Sequence, residues 1–276
     1  MKRRVKAWLH RHGRLKPAEE LYFNLKTLTP GILYRELRYR AWDAPDGFPV
    51  PPAAFIKDVI ACRWNAVFYD SGKRIVDDMA DLLGRHGLSF ASFTSVLDFG
   101  CGCGRLIRHL DRRTEADLHG SDYNPALIQW CQKNLPIASF AVNRLEPPLP
   151  YSDDTFDFVY ARSVLTHLPE SLIDAWMAEM RRVIRPGGLF LFTMHGRPLS
   201  HGLSPDERAA FERNELVVTY TAAAGENLCS TYATKSYVDD RLMEGFERVD
   251  FVEGRPVEHL RQDIHLVRRV DEGLNV

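Results

Sequence analysis

No run of about eighteen apolar residues occurs anywhere in this 276-residue chain, so no segment reads as a membrane-crossing helix. Cysteine is scarce. The five present (Cys62, Cys101, Cys103, Cys131 and Cys229) include no CxxC pair, which removes the familiar zinc and dithiol motifs, so the thiols are expected to be reduced and metal-free. There is also no excess of charge of either sign, since 36 Lys and Arg face 37 Asp and Glu for a net −1. A global attraction to nucleic acid or acidic lipid is thereby excluded. The basic N-terminus lacks the apolar stretch and cleavage site of a signal peptide, and a cytoplasmic location is expected. One local imbalance stands out: Lys2, Arg3, Arg4, Lys6, Arg11, Arg14 and Lys16 precede the first acid, Glu19, with Trp8, Leu9 and Leu15 between them. Such an arm is expected to be solvated, with at most weak contact to a membrane surface.

The length suits one large α/β domain with an extension. The centre of the chain is VLDFGCGCGRLIRHL, residues 96–110, where an apolar strand meets three glycines at alternate positions and a helix is expected to follow from Leu106. Glycine accepts positive φ and has no Cβ, so the backbone can turn sharply against a ligand and offer it N–H groups. The dinucleotide fingerprint needs two residues between its second and third glycines, and here Cys103 alone separates Gly102 from Gly104. That spacing counts against a nicotinamide dehydrogenase.

Strands are expected at 95–99, 117–121, 138–142, 156–161 and 188–194, alternating with helical patterns. Ligands of such sheets gather at the carboxyl ends of the strands. The strand at 117–121 runs to Asp122, eighteen residues past Gly104, where Asn124-Pro125 also offers a helix cap. Residues 1 to about 90 read as helix and loop around the stiff stretch 45–52 and are expected to form an extension or cap. The rest, 91–276, is expected to be the catalytic domain. Within it, 195–235 reads as an insertion on the ligand side, with a helix start at Ser204-Pro205-Asp206-Glu207 and a strand at 215–221.

The series Asp98-x-Gly100-x-Gly102-x-Gly104 resembles the cofactor loop of class I S-adenosylmethionine-dependent methyltransferases. Further likeness lies in LPYSDDTFDFVYA (149–161), in RRVIRPGGLFLF (181–192) and in the closing strands at 246–252 and 263–268. The resemblance implies a Rossmann-like, seven-stranded sheet of order 3-2-1-4-5-7-6 with its last strand antiparallel and helices on both faces. It also implies S-adenosyl-L-methionine as cofactor. Asp98, Gly100, Cys101, Gly102 and Gly104 would form the loop, Asp122 would serve the ribose and Asn143 the adenine, with Tyr123, Arg144 and Ala161 as further cofactor-binding residues. Lys73, Arg74 and Arg105 are candidates for the cofactor carboxylate, and Tyr69 for closing over it.

Methyl transfer from a sulfonium is an in-line displacement, so orientation carries most of the rate, about 7–11 kcal/mol where reactants are well aligned. A base helps when the acceptor is a hydroxyl. His167 and His195 follow the fourth and fifth strands and are the candidates, since an ordinary imidazole accepts protons near neutral pH. The sequence QDIHLV (262–267), with FGCGCGR and the insertion, resembles bacterial methyltransferases of saccharide and surface-glycan pathways. A sugar or other small hydroxylated acceptor is implied. Alternatives are a protein or other small-molecule methyltransferase and a non-catalytic cofactor-binding protein. DNA base methylation is disfavoured because Ala161-Arg162-Ser163-Val164 stands where an (N/D)PP(Y/F) motif would be.

Overall fold

The computed structural model describes residues 43–60, 62, 64–226, 228–255 and 261–270. The basic arm at 2–16 lies outside the described residues. By contact density the chain falls into two units, Met1–Phe68 and Tyr69–Val276. In the first, the Pro51-Pro52 stretch leads into helix α1 (Ala53–Ile60), whose opening bond runs from Ile56 N to Pro52 O at 3.1 Å. Helix α2 (Asn65–Gly84) crosses the division.

The second unit then alternates as β1 (Ser95–Phe99), β2 (Asp117–Asp122), α3 (Pro125–Asn134), β3 (Ser139–Val142), β4 (Phe156–Ala161), α4 (Glu170–Val183) and β5 (Ile184–Met194). Helix α5 (Pro205–Glu212), strands β6 (Val217–Thr219) and β7 (Ser230–Tyr232), helix α6 (Lys235–Arg241) and strands β8 (Phe246–Val252) and β9 (Asp263–Arg269) complete it. The seven-stranded sheet runs β3-β2-β1-β4-β5-β9-β8, with β9 antiparallel to both neighbours. With β6 and β7 set aside as a separate hairpin, this is the expected order.

Burial explains the register. All six residues of β4 are buried, as a central parallel strand covered on both faces requires. Phe99, Val159, Phe190 and Phe192 pack with Trp176, Met180 and Val183 of α4. Trp176 also donates Nε1–H to Leu145 O at 2.9 Å, so its one polar atom is satisfied within the core. At the end of the central strands opposite the glycine loop, buried Asp157 accepts from Thr94 N, Thr94 Oγ1 and Ser95 N at 2.7–3.0 Å and pins the start of β1.

Three local expectations change. The helix predicted from Leu106 is a 3₁₀ turn, Ile107–His109, closed by i→i+3 bonds at Leu106 and Ile107; the chain turns away at Arg112, which is left-handed (φ 62°). Strand β5 begins at Ile184, because the Pro-Gly-Gly turn is absorbed as an irregularity opposite Phe156 and Phe158. The strand expected at 215–221 is only Val217–Thr219, ended by left-handed Tyr220 (φ 56°).

Candidate functional site

The carboxyl ends of β1 to β5 and the start of β9 converge on two clusters of different construction. In the first, Gly100, Gly102 and Gly104 all have positive φ (77°, 57° and 75°). A Cβ at Gly100 would stand 2.4 Å from Val164 Cγ2, so both conformation and space demand glycine. The loop is held to β2 by its own amides: Gly100 N and Cys101 N donate to Ser121 O at 2.8 and 2.9 Å, and Gly102 N donates to Asp122 Oδ2 at 2.9 Å. Buried thiols of Cys101 and Cys131 both point at Gly102 O, 3.7 and 3.6 Å away.

Asp122 is buried and its other oxygen accepts from Asn124 N at 2.9 Å. Helix α3 is capped by Asn124, whose Oδ1 takes Ala126 N at 3.0 Å, so Asp122 is not the cap. Each Asp122 oxygen keeps a lone pair for another donor. Burial pushes its pKa up, and the two backbone bonds hold it back. At the end of β3, Asn143 Nδ2 donates to Arg144 O at 2.6 Å while its Oδ1 is buried with no partner. Ordered proteins seldom leave such an acceptor empty. An exocyclic amino group beside Asn143 and two vicinal hydroxyls on Asp122 would satisfy both residues, so the donor set fits an adenosine.

Other candidates fall into place around this cluster. Asp98 is 2 % exposed and its pKa is pushed up to about 7, by burial first, with the Tyr160 hydroxyl and the Arg105 guanidinium acting against that shift. Arg105 therefore sits beside the loop acid. Lys73 does not reach the site: it pairs with Asp77, one helical turn on, at 2.7 Å, and that carboxylate also takes Arg113 at 2.7 Å. Arg74 is exposed, as is Arg144. Tyr69 packs its ring on His109 (4.5 Å between centroids). Tyr123 is 45 % exposed and donates to Gly225 O at 3.0 Å, and Ala161 is buried at the end of β4.

The second cluster is made of side chains. His167 and His195 stand edge to face, 6.1 Å apart. His167 Nδ1 lies 2.7 Å from Cys229 O, and a carbonyl can only accept, so Nδ1 carries the hydrogen and Nε2 keeps its lone pair. Burial lowers the His167 pKa, offset in part by that bond. His195 is pushed down to about 3 by burial, with His167 and Arg162 adding repulsion. Its Nε2 lies 3.3 Å from Gln262 Nε2. Gln262 Oε1 in turn receives Ser163 Oγ and Thr193 Oγ1, each at 2.8 Å, and Arg162 Nη1. Sequence reading assigned no role to Arg162, Ser163, Thr193 or Gln262. No sequence signal marks them; in the structure Ser163 stands out as a non-glycine residue at φ 60° directly after β4.

Residues 96–188 match the family model described as "Methyltransferase domain". The chain is 28 % identical over 144 residues to a sterol 24-C-methyltransferase of Schizosaccharomyces pombe, covering 48 % of this chain and 38 % of that protein. It is 30 % identical over 152 residues to a malonyl-[acyl-carrier protein] O-methyltransferase of Halorhodospira halophila, covering 54 % and 46 %. The chain thus spans under half the length of these curated relatives. Among solved structures, Burkholderia thailandensis 1,6-didemethyltoxoflavin-N1-methyltransferase, with S-adenosylhomocysteine bound, overlays with a TM-score of 0.53 at 17 % identity, covering 83 % of this chain and 94 % of that one. The overlay supports the same fold, and residues 96–188 are similar to a methyltransferase domain.

Proposed function

We propose that this protein is an S-adenosylmethionine-dependent methyltransferase acting on a hydroxyl of a small acceptor, a sugar or related glycan metabolite, with His167 as general base. The observation that carries the proposal is the pairing of an adenosine-compatible cluster with an imidazole whose proton-accepting nitrogen is left open. Asp122 and Asn143 would hold the nucleoside, and the glycine loop would bring the backbone against it. The cofactor, when bound, supplies the electrophilic methyl carbon. His167 would take the acceptor proton at Nε2 while its Nδ1–H stays on Cys229 O. Burial keeps the ring neutral and ready at neutral pH. His195 is poorly suited to that task, because Gln262 already occupies its Nε2.

One further feature supports a small acceptor. The insertion supplies Cys229 and Tyr232, and Ala233 N donates to His195 O at 3.1 Å, so the hairpin folds over the histidines. Among the described residues no helix is long and apolar enough to cross a membrane. The five free thiols suit the reducing cytoplasm in which we place the protein.

The test is calorimetric titration with S-adenosylmethionine, S-adenosylhomocysteine and NAD, followed by an S-adenosylhomocysteine-release assay across hydroxylated acceptors. Micromolar binding of the sulfonium cofactor and its thioether product, with turnover on a sugar or alcohol, supports the reading. Preference for NAD, or binding with turnover only on amines or protein, would overturn it.

A further inference from the structure

We infer that Gln262 is a positioning residue: its side-chain amide locks His195 as the neutral Nδ1–H form and so leaves His167 the only ring of the pair that takes a proton. The catalytic half of this inference rests on the methyltransferase reading; the locking of His195 does not.

A guanidinium has donors only, so the atom of Gln262 that meets Arg162 Nη1 must be the carbonyl oxygen. Ser163 Oγ and Thr193 Oγ1 bring two more hydrogens to the same oxygen at 2.8 Å. The Thr193 hydroxyl is itself committed, because its oxygen accepts Ser163 N at 2.9 Å. Flipping the amide would set its NH₂ against the guanidinium and forfeit these bonds. The NH₂ therefore points at His195 Nε2, 3.3 Å away. An N–H donor facing that nitrogen requires a lone pair there, which puts the ring hydrogen on Nδ1. Protonating Nε2 would oppose two N–H groups.

The groups facing His195 act the same way. His167 approaches from the turn after β4, Arg162 from the end of β4 and the Tyr232 ring, 5.0 Å off, from β7. Asp263 at the start of β9 is the nearby acid, but it lies against Gly196 and is already engaged by Gly254 N at 2.8 Å. No carboxylate among the described residues bonds to His195, and the Thr231 backbone, which favours a proton on the ring, is outweighed by burial and by the charges of His167 and Arg162. A positive His195 only 6.1 Å from His167 would repel the proton that His167 must accept. Gln262 prevents that state.

The lock is tested on the full-length protein by long-range ¹H–¹⁵N spectroscopy of the imidazoles from pH 4.5 to 8, without any substrate. His195 is expected as the Nδ1–H tautomer with no titration in that range. In Gln262→Glu, where a carboxylate can accept from Nε2, His195 is expected to titrate above its ordinary value, and turnover is expected to fall about 10- to 10²-fold with S-adenosylmethionine affinity unchanged. Gln262→Met, which keeps the bulk and removes the amide, should let His195 titrate nearer its ordinary value. An Nε2–H tautomer, or ordinary titration of His195 in the wild-type protein, would overturn the lock; so would unchanged turnover of Gln262→Glu in a wild type that is active. If the wild-type protein bound no S-adenosylmethionine while His195 stayed locked, the functional reading would fail and the lock would stand.

Discussion

The two halves of the site are built by different means. On the β1–β2–β3 side the backbone does most of the work: three left-handed glycines, amides turned onto Ser121 and Asp122, and one capped helix. On the β4–β5–β9 side the work falls to side chains, with Gln262 joining the ends of three strands. A backbone-built site is encoded within a short stretch of sequence and tolerates little change in shape. A side-chain-built site depends on residues about a hundred positions apart, and single substitutions can retune it.

The comparison is broken most severely at Asp122. Asp122→Ala removes two charge-assisted bonds, each worth about 1.5–3 kcal/mol, and strands two loop amides, so S-adenosylmethionine affinity should fall by about 10²-fold or more by calorimetry. Next comes His167→Ala, expected to lower turnover by about 10²- to 10⁴-fold while cofactor affinity stays within a few-fold, as a steady-state and binding pair would show. Equal losses of both quantities in either variant would mean that the halves are not separable. His195→Ala should cost less turnover than His167→Ala; the reverse order would exchange their roles.

A pH profile sharpens the contrast further. Because the His167 base must be neutral and burial lowers its pKa, turnover should rise with pH to a plateau through a midpoint below 6.5. An acid limb centred well above 6.5 would contradict this. The smallest effect concerns stability. Asp98, on the backbone-built side, is raised to about 7 in the fold, so native protein holds an extra proton between about pH 4 and 7 and stability falls as pH rises there. His265, on β9, is pushed down to about 3 by burial and by Arg248, so native protein lacks a proton that the unfolded chain binds, and stability rises as pH climbs from 3 toward 6.5. The two slopes oppose each other, each about 1.4 kcal/mol per pH unit at most. Asp98→Asn should remove one of them, so that its stability relative to wild type increases from pH 4.5 to 6 in denaturant titrations.

The same contrast explains what was legible in the sequence. The strand–helix alternation, the glycine loop and the position of Asp122 follow from local patterns (apolar strands, glycines where φ must be positive, an acid at a strand end), whereas the order of the strands is what the family resemblance implies. The helix after the loop was over-read because apolar spacing from Leu106 to Leu110 is compatible with a tighter turn as well. Among the three candidate cations, Lys73 behaves as an ordinary surface charge, and its partner is visible in the sequence, since Asp77 follows at the i+4 spacing that favours pairing on a helix. Gln262 was out of reach. Its partners Arg162 and Thr193 lie 100 and 69 residues away, and nothing in a glutamine before a strand announces three donors waiting for it. Choosing between the two histidines likewise required knowing which carbonyl and which amide each ring meets.

The antiparallel strand β9 has a consequence for how the molecule is made. Among the described residues it is the last strand in sequence, yet it lies inside the sheet, between β5 and β8. The edge of β5 facing β8 can be covered only after residues 263–269 have been made. The side-chain cluster that joins the ends of β4, β5 and β9 is therefore the part of the sheet that only the late-arriving residues can complete.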